Sequence, residues 1–497
     1  LMYRKILIAN RGEIAVRLMR ACRALGIARA AVYQPVEANS LHVRLADESW
    51  QLDSPLGFHD AQALLDLAEH SRAEAVHCGI GFLAENERFA LACRQRGIAF
   101  IGPPPEVMRR LQHKIDCLET VRQAGYPVVP HFPAFFSGVN GSTYQAVAAA
   151  AETLGYPVLI KSFHGGRGRG EHLVTHPAHL DKVLRRVQGE SQAVYGDAQV
   201  YLEKALLPAH ALAVQILADA QGNIIHLGER EGSLMHGNQK LLQESPAPCL
   251  DQAARLQICQ TAVEIFRLFH YPGAASVEFI LDPQGQYYFT EIKGRLQADH
   301  PLIELRARLD LAAEQIRLCA GEPLPLSQEQ VMLEGHAMLC RIIAEDPLRG
   351  YLPSPGTVQH FRLPGGPEVR MDTYLAPGCE VPAIYDSLLG KLSVWAESRP
   401  ACLVRLQNAL DEFQLKGPAT NLPVLQYLAH LPAVVEGVYD TSLNPQPAAF
   451  DPANHRALRD LALIAALNYL RQDREAAPYI PERLLSGWHR SSRLINH

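Results

Sequence analysis

The sequence has ten cysteines but no Cys-x-x-Cys pair, and no Cys/His spacing in it suits zinc. Cys22, Cys93 and Cys259 fall in helical patterns, where a cysteine serves as a small buried apolar residue. Reduced thiols in a chain of this size point to the cytoplasm. A basic excess is also missing. Lys and Arg number 47 against 52 Asp and Glu, a formal net charge of −5, which excludes a chain held by nucleic-acid phosphates. No apolar run approaches the ~18–20 residues of a membrane span. The apolar stretch near Lys5-Ile6-Leu7-Ile8-Ala9 is too short for a secretory signal. No tandem repeat has a solenoid's register. What remains is 497 residues, 48% hydrophobic and 20% charged, an ordinary globular composition with room for about three domains.

Residues 5–9 read as a buried strand, and Asn10-Arg11-Gly12-Glu13 turns into a helix with apolar Ile14, Ala15, Val16, Leu18 and Met19. Strands near 30–33, 74–77 and 98–101 alternate with helices near 61–70 and 85–97, the pattern of a doubly wound parallel α/β unit. Gly102-Pro103-Pro104-Pro105 ends it. Residues 106–124 read as helical and 143–154 as a helix. The strand Tyr156–Lys161 leads into His164-Gly165-Gly166-Arg167-Gly168-Arg169-Gly170, four glycines in seven positions. Residues 199–204 read as a strand. Hairpins are predicted for 214–219 with 224–229, and for 275–280 with 287–292. From about 336 short strands and turns follow, with a helix near 399–413. The tail beyond 440 is rich in Pro and Asn, then helical at 455–471.

Three clusters could carry chemistry. A strand ending in Lys161 and opening into glycines lets backbone N–H groups approach phosphate oxygens, with Arg167 and Arg169 adding charge. No Gly-Lys-Ser/Thr follows, so it is not a Walker loop. Glu278 and Glu291 lie in adjacent apolar strands, where two carboxylates repel each other unless a cation sits between them. Magnesium, which prefers oxygen ligands and bridges nucleotide phosphates, suits that role. Arg295-Leu296-Gln297-Ala298-Asp299-His300-Pro301 packs a cation, an amide, an acid and an imidazole into a loop positioned by a hairpin. His300, ahead of a proline, reads as structural.

The order Lys161, glycine loop, Glu203-Lys204, Gln239-Lys240, Glu278 and Glu291…Arg295 resembles the ATP-grasp superfamily, and within it the biotin carboxylase component of biotin-dependent carboxylases. The match runs from Arg4 to about Pro432. It includes Ile8-Ala9-Asn10-Arg11-Gly12-Glu13-Ile14-Ala15, Gly81-Phe82-Leu83-Ala84-Glu85-Asn86, Cys340-Arg341-Ile342 and Tyr385-Asp386-Ser387-Leu388-Leu389-Gly390-Lys391-Leu392. The stretch 459–497 more weakly resembles the region after this domain in acyl-CoA carboxylase α chains.

The resemblance implies an α/β fold in four parts. These are a Rossmann-like (pre-ATP-grasp) domain over 1–103, an ATP-grasp domain over 104–335 with a mobile lid at about 131–204, a β-rich C-terminal domain over 336–440 and a tail over 441–497. It implies ATP-dependent carboxylation of biotin by bicarbonate through carboxyphosphate, with biotin as the carrier-bound substrate. By motif position, Lys114, Lys161, Gly165, Gly166, Gly168 and Gly170 would hold phosphates, and Glu203, Lys204 and Leu206 would line the adenine pocket. Glu278 and Glu291 would bind Mg2+ or Mn2+. Lys240 would stabilise the transferring phosphoryl group, Arg295 would hold bicarbonate, Asp299 would be its base and Arg341 would stabilise the biotin enolate. The implied partners are a biotin carboxyl carrier protein or domain and a carboxyltransferase subunit. Neither nucleic acid nor membrane is expected, and a homodimer is. No Met-Lys-Met biotin acceptor occurs in the sequence, so the carrier is expected on another polypeptide or beyond His497.

Several positions depart from the family's pattern. Lys293 replaces an asparagine near the metal, an ammonium without a lone pair in place of an oxygen donor. Asp299 replaces a glutamate, a methylene shorter. His164 and Arg167 replace glycines, Glu171 a methionine, and Ala211 and Ala213 a histidine and a glutamate. Asn238-Gln239-Lys240 stands for His-Gln-Lys, and His77-Cys78-Gly79-Ile80-Gly81 for His-Pro-Gly-Tyr-Gly. Three readings follow: a working biotin carboxylase, a homologue reduced to a binding or regulatory subunit, and an ATP-grasp ligase for a different acid or acceptor.

Overall fold

The computed structural model describes residues 2–138, 141–163, 171–237, 239–445 and 456–472. The first five strands form a parallel sheet in the order Glu48–Gln51, Ala28–Tyr33, Lys5–Ile8, Ala75–His77, Ala99–Phe100. Helices cover both faces, so the central strand is apolar without alternation: Ile6, Leu7 and Ile8 are all fully buried. Side-chain caps start the helices Ala61–His70 and Glu87–Gln95, where Asp60 accepts from the Ala63 N–H at 3.0 Å and Asn86 from that of Phe89 at 2.9 Å. The edge strand Glu48–Gln51 was not predicted, because only half of its face is covered.

The continuous helix expected over 106–124 is two, Pro105–Gln112 and Lys114–Gln123. His113 breaks them with a non-helical ψ of 85°. Its ring packs edge-on against Phe135 and Phe163 at centroid distances of 5.3 and 5.1 Å. Tertiary packing overrides local propensity there and starts the second helix on Lys114.

Glu171–Val174, Val158–Ser162 and Val200–Lys204 form a separate three-stranded antiparallel sheet. The helices Gly141–Leu154 and Leu180–Tyr195 pack on it around a core of its own that includes Val147, Ile160, Leu184 and Leu202. The second of these helices was not anticipated from the sequence.

An eight-stranded antiparallel sheet forms the centre, in the order Tyr287–Lys293, Gly273–Leu281, His210–Ala218, Ile224–His236, Gln239–Ser245, His336–Ile343, Leu388–Ala396, Val369–Thr373. Both expected hairpins are present and lie side by side. The sheet continues through the pairing of Gln239–Ser245 with His336–Ile343 into the strands expected for the C-terminal domain. Residues 10–13 tie the parallel domain to the rest. Arg11, paired with Glu37, packs beneath the Tyr385 ring and Glu13 meets the buried Lys391 at 2.9 Å, while Asn10 Nδ2 fixes the turn within the parallel domain by donating to the carbonyls of Cys78 and Ile80 at 2.6 Å.

Residues 446–497 form a second unit, described only over the helix Arg456–Gln472. Leu461, Leu463, Ile464 and Leu467 are each more than half exposed on it. No helix among the described residues is long and apolar enough to cross a membrane.

Candidate functional site

Four adjacent strands deliver one row of the site. Glu291 is opposite Glu278, Glu278 opposite Ala213, and Ala213 opposite Arg230. Directly opposed residues share a face, and so do residues two apart along a strand. Lys293 therefore lies on the face of Glu291, opposite Ser276.

The first cluster centres on Glu291. Its Oε2 accepts a contact from Lys114 and a second from the Lys293 ammonium at 2.8 Å. Burial pushes the Glu291 carboxyl up, but Lys114, Lys293 and Lys161 outweigh it and hold the group well below the ordinary carboxylate value. Burial likewise presses the Lys293 ammonium down, yet Glu291, Glu85 and Glu278 keep it above its ordinary value and charged. The Glu278 carboxylate lies under the charges of Lys293 and Arg295. Glu278 and the remaining Oε1 of Glu291 fit a magnesium ion, which needs only one or two carboxylates and keeps several waters.

The second cluster centres on Asp299. This residue occupies the N-cap position of the helix His300–Ala307, where an aspartate ordinarily accepts from the helix's N–H groups. Here it makes no such bond. Its Oδ2 lies 2.9 Å from Arg230 Nε and 4.0 Å from Lys240 Nζ, and Asp299 and Arg230 are both 1% exposed. Asp299 Oδ1 is buried without a hydrogen-bond partner among the described residues. Burial raises the acid's pKa, but Arg230, Lys240 and Arg341 together hold it below the usual carboxylate range. Lys240 reaches the site because residue 232 is glycine. A Cβ there would sit 2.8 Å from Lys240 Cδ.

Arg295 lies between the clusters. Its Nε meets Glu85 Oε2 at 2.9 Å, and its charge bears on both Glu278 and Arg341. Arg341 comes from the strand His336–Ile343, with Asn421 Nδ2 donating to its carbonyl at 2.9 Å. Its Nε is also buried without a hydrogen-bond partner among the described residues. His300 is fully buried, with Nδ1 2.8 Å from the Gln297 carbonyl, and is structural as expected.

The remaining candidates lie toward the small sheet. Lys161 Nζ pairs with Glu203 Oε2 at 2.8 Å, and Tyr201 donates to Glu203 Oε1 at 2.9 Å. The Lys204 ammonium turns instead to the carbonyls of Gly155 and Tyr156, at 2.7 and 2.9 Å, and is satisfied within the fold. Leu206 packs against the central core. Gly165, Gly166, Gly168 and Gly170, with His164, Arg167 and Arg169, lie outside the described residues, as does Asn238.

Sequence reasoning missed Arg230 and Glu85 as members of the site. Arg230 did leave a signal: Glu229-Arg230-Glu231 puts three charges inside an otherwise apolar strand, and buried charges need partners.

Residues 2–108 match the biotin carboxylase N-terminal domain family, and residues 339–444 match the biotin carboxylase C-terminal domain. Between them, residues 113–327 match the carbamoyl-phosphate synthase L chain ATP-binding domain. A biotin carboxylase of Nostoc sp. is 43% identical over 443 residues, 88% of this chain and 98% of the relative. The 2-oxoglutarate carboxylase small subunit of Hydrogenobacter thermophilus is 37% identical over 470 residues, 94% of this chain and 98% of that one. The crystal structure of that carboxylase's biotin carboxylase domain dimer, in complex with MgADP, ADP and bicarbonate, superimposes with a TM-score of 0.87 at 36% identity, covering 91% of this chain and 99% of that one. With all three domains matched in order and relatives of this identity aligned over nearly their whole length, the chain belongs to the biotin carboxylase family of ATP-grasp ligases.

Proposed function

We propose that this chain uses ATP to carboxylate biotin carried on a partner domain. The observation that carries the reading is the buried Asp299 carboxylate enclosed by Arg230, Lys240 and Arg341, with one oxygen unpartnered among the described residues. An ionised base amid fixed cations suits a small anion that must lose a proton and then carry more negative charge. Bicarbonate held by Arg295 gives its proton to Asp299 as its oxygen attacks the γ-phosphorus of ATP and ADP leaves. Lys240 stabilises the equatorial charge of that transfer. Carboxyphosphate then breaks into CO2 and phosphate, the released phosphate takes the N1′ proton of biotin, and the resulting enolate, stabilised by Arg341, forms its N1′–carbon bond to the CO2. Lys114, Lys161, Gly165, Gly166, Gly168 and Gly170 hold the phosphates, and Glu203, Leu206 and the backbone of Lys204, whose ammonium is bound to the Gly155 and Tyr156 carbonyls, border the adenine. Magnesium (or manganese) held by Glu278 and Glu291 would neutralise phosphate charge.

The partners in this reading are a biotin carboxyl carrier protein or domain and a carboxyltransferase subunit. A homodimer is supported by the domain dimer of the Hydrogenobacter thermophilus relative. The ten free cysteines support a reducing, cytoplasmic setting.

One observation favours a second reading. The Lys293–Glu291 pair puts an internal cation where a metal would bind, as suits a homologue kept for binding or regulation. ADP release measured with bicarbonate, with and without free biotin, separates the readings. Bicarbonate-dependent release stimulated by biotin supports the carboxylase. Absence of nucleotide binding in calorimetry supports the regulatory subunit, and turnover indifferent to bicarbonate points to a ligase for another acid.

A further inference from the structure

On strand Ile224–His236, Arg230 turns toward Asp299, and the next residue, Glu231, meets a different set of groups. The strand His210–Ala218 begins beside it, and Cys249 follows the strand Gln239–Ser245. One donor atom each from His210, Glu231 and Cys249 lies within 4.8 Å of the other two. His210 Nδ1 is 2.6 Å from Glu231 Oε1, and Ser233 Oγ donates to that same oxygen at 2.7 Å. The second oxygen, Oε2, is buried without an N–H or O–H partner among the described residues, in a side chain that is 0% exposed, and the Cys249 thiol interacts with this same carboxylate.

Beyond the His210 ring, which its hydrogen bond to Glu231 holds above its ordinary value, the surroundings are short of positive charge. Asp440 bears on His210, and Glu229 on Cys249, while Glu229 itself is matched by Arg255 at 2.8 Å. A fully buried carboxylate held by one imidazole and one thiol gains from a cation that engages all three groups at once. Imidazole nitrogen, thiolate sulfur and carboxylate oxygen together form a borderline-soft donor set. It suits zinc rather than magnesium, and three protein ligands leave a fourth position for water. Tetrahedral bonds of ~2.0–2.3 Å put donors ~3.3–3.7 Å apart, so side-chain rotation alone brings this trio into range.

We propose that His210, Glu231 and Cys249 form a binding site for a zinc-like divalent ion, separate from the nucleotide site. Binding replaces the His210–Glu231 hydrogen bond with two bonds to one ion and releases to solvent both the Cys249 Sγ proton and the proton shared by His210 Nδ1 and Glu231. The ion would join two neighbouring strands to the segment after Gln239–Ser245. It would also brace residues 439–441, since the Thr441 N–H donates to the Ala209 carbonyl at 2.9 Å beside His210.

Cobalt(II) is the probe, titrated into the full chain cleared of metal. One equivalent is expected to give tetrahedral visible bands and a near-ultraviolet thiolate-to-cobalt band. Cys249→Ser should abolish the near-ultraviolet band, and His210→Ala should weaken cobalt binding at least tenfold. A wild-type chain without the thiolate band, or a band that survives Cys249→Ser and so belongs to another cysteine, overturns the proposal. Zinc should also raise the thermal midpoint of wild type and not of Cys249→Ser. Equal shifts in both would overturn it too.

Discussion

Lys293 places its ammonium 2.8 Å from Glu291 Oε2, on the face the two residues share by strand alternation. The lysine is 8% exposed, so it has not swung out to solvent. The carboxylate proposed to hold the metal is here partly neutralised by a residue two positions along its own strand. Lys293→Asn removes the repelling charge and restores an oxygen donor. It should strengthen magnesium binding at least about tenfold, the least expected from removing one close charge even under water-like screening. Magnesium titrations with a non-hydrolysable ATP analogue measure this, and bicarbonate-dependent ATPase activity should rise in parallel. Equal affinities would mean that Glu278 and Glu291 hold the metal undisturbed.

Asp299 is the proposed base, and Asp299→Asn should lower bicarbonate-dependent turnover ~10²–10⁴-fold while leaving nucleotide affinity nearly unchanged. Asp299→Glu, added to Lys293→Asn, should raise the rate above that of the single variant by returning the carboxylate's reach.

The pH profile follows from the same cluster. A base works when deprotonated, and Arg230, Lys240 and Arg341 hold Asp299 below the usual carboxylate range. Activity should therefore show no acid limb from Asp299 within that range. Arg230→Met removes the 2.9 Å partner and should move an acid limb upward into it. A profile that does not move would take Asp299 out of the proton transfer.

Lys161 is paired with Glu203 and close enough to influence Glu291. Lys161→Ala should weaken ATP binding ~10–100-fold, the value of a charge-assisted phosphate contact. Calorimetry with ATP and with adenosine separates phosphate recognition from base recognition: only the ATP value should change.

Stability should fall in mild acid. Burial depresses His77 from the ordinary 6.5 to about 3, and His42, also pushed down by burial, to about 4. Between 6.5 and those values the unfolded chain binds protons that the fold does not. Stability is therefore retained above 6.5 and declines as pH falls, by ~1.4 kcal/mol per pH unit for each histidine. Urea midpoints across this window should show a smaller slope for His77→Asn than for wild type.

Much of this was already legible in the sequence, wherever local pattern and burial coincide. The apolar runs at 5–9 and 30–33 read as strands of an alternating α/β series, and the hairpins at 214–229 and 275–292 were marked by turns between β-rich segments. Lys293 and Glu291 are two apart in a strand, so their shared face followed from period alone. The ordered motifs also identified the family. Tertiary structure decided what no local pattern encodes. Packing of His113 on Phe135 and Phe163 breaks a helix and aims Lys114 at Glu291. Asp299 leaves its own helix end for Arg230, 69 positions earlier in the chain, because strand pairing carries that guanidinium into a site where a buried carboxylate lacks any nearer cation. Charge partners so far apart in sequence are chosen by the sheet's register, and the energy of burying them unpaired is what enforces the choice.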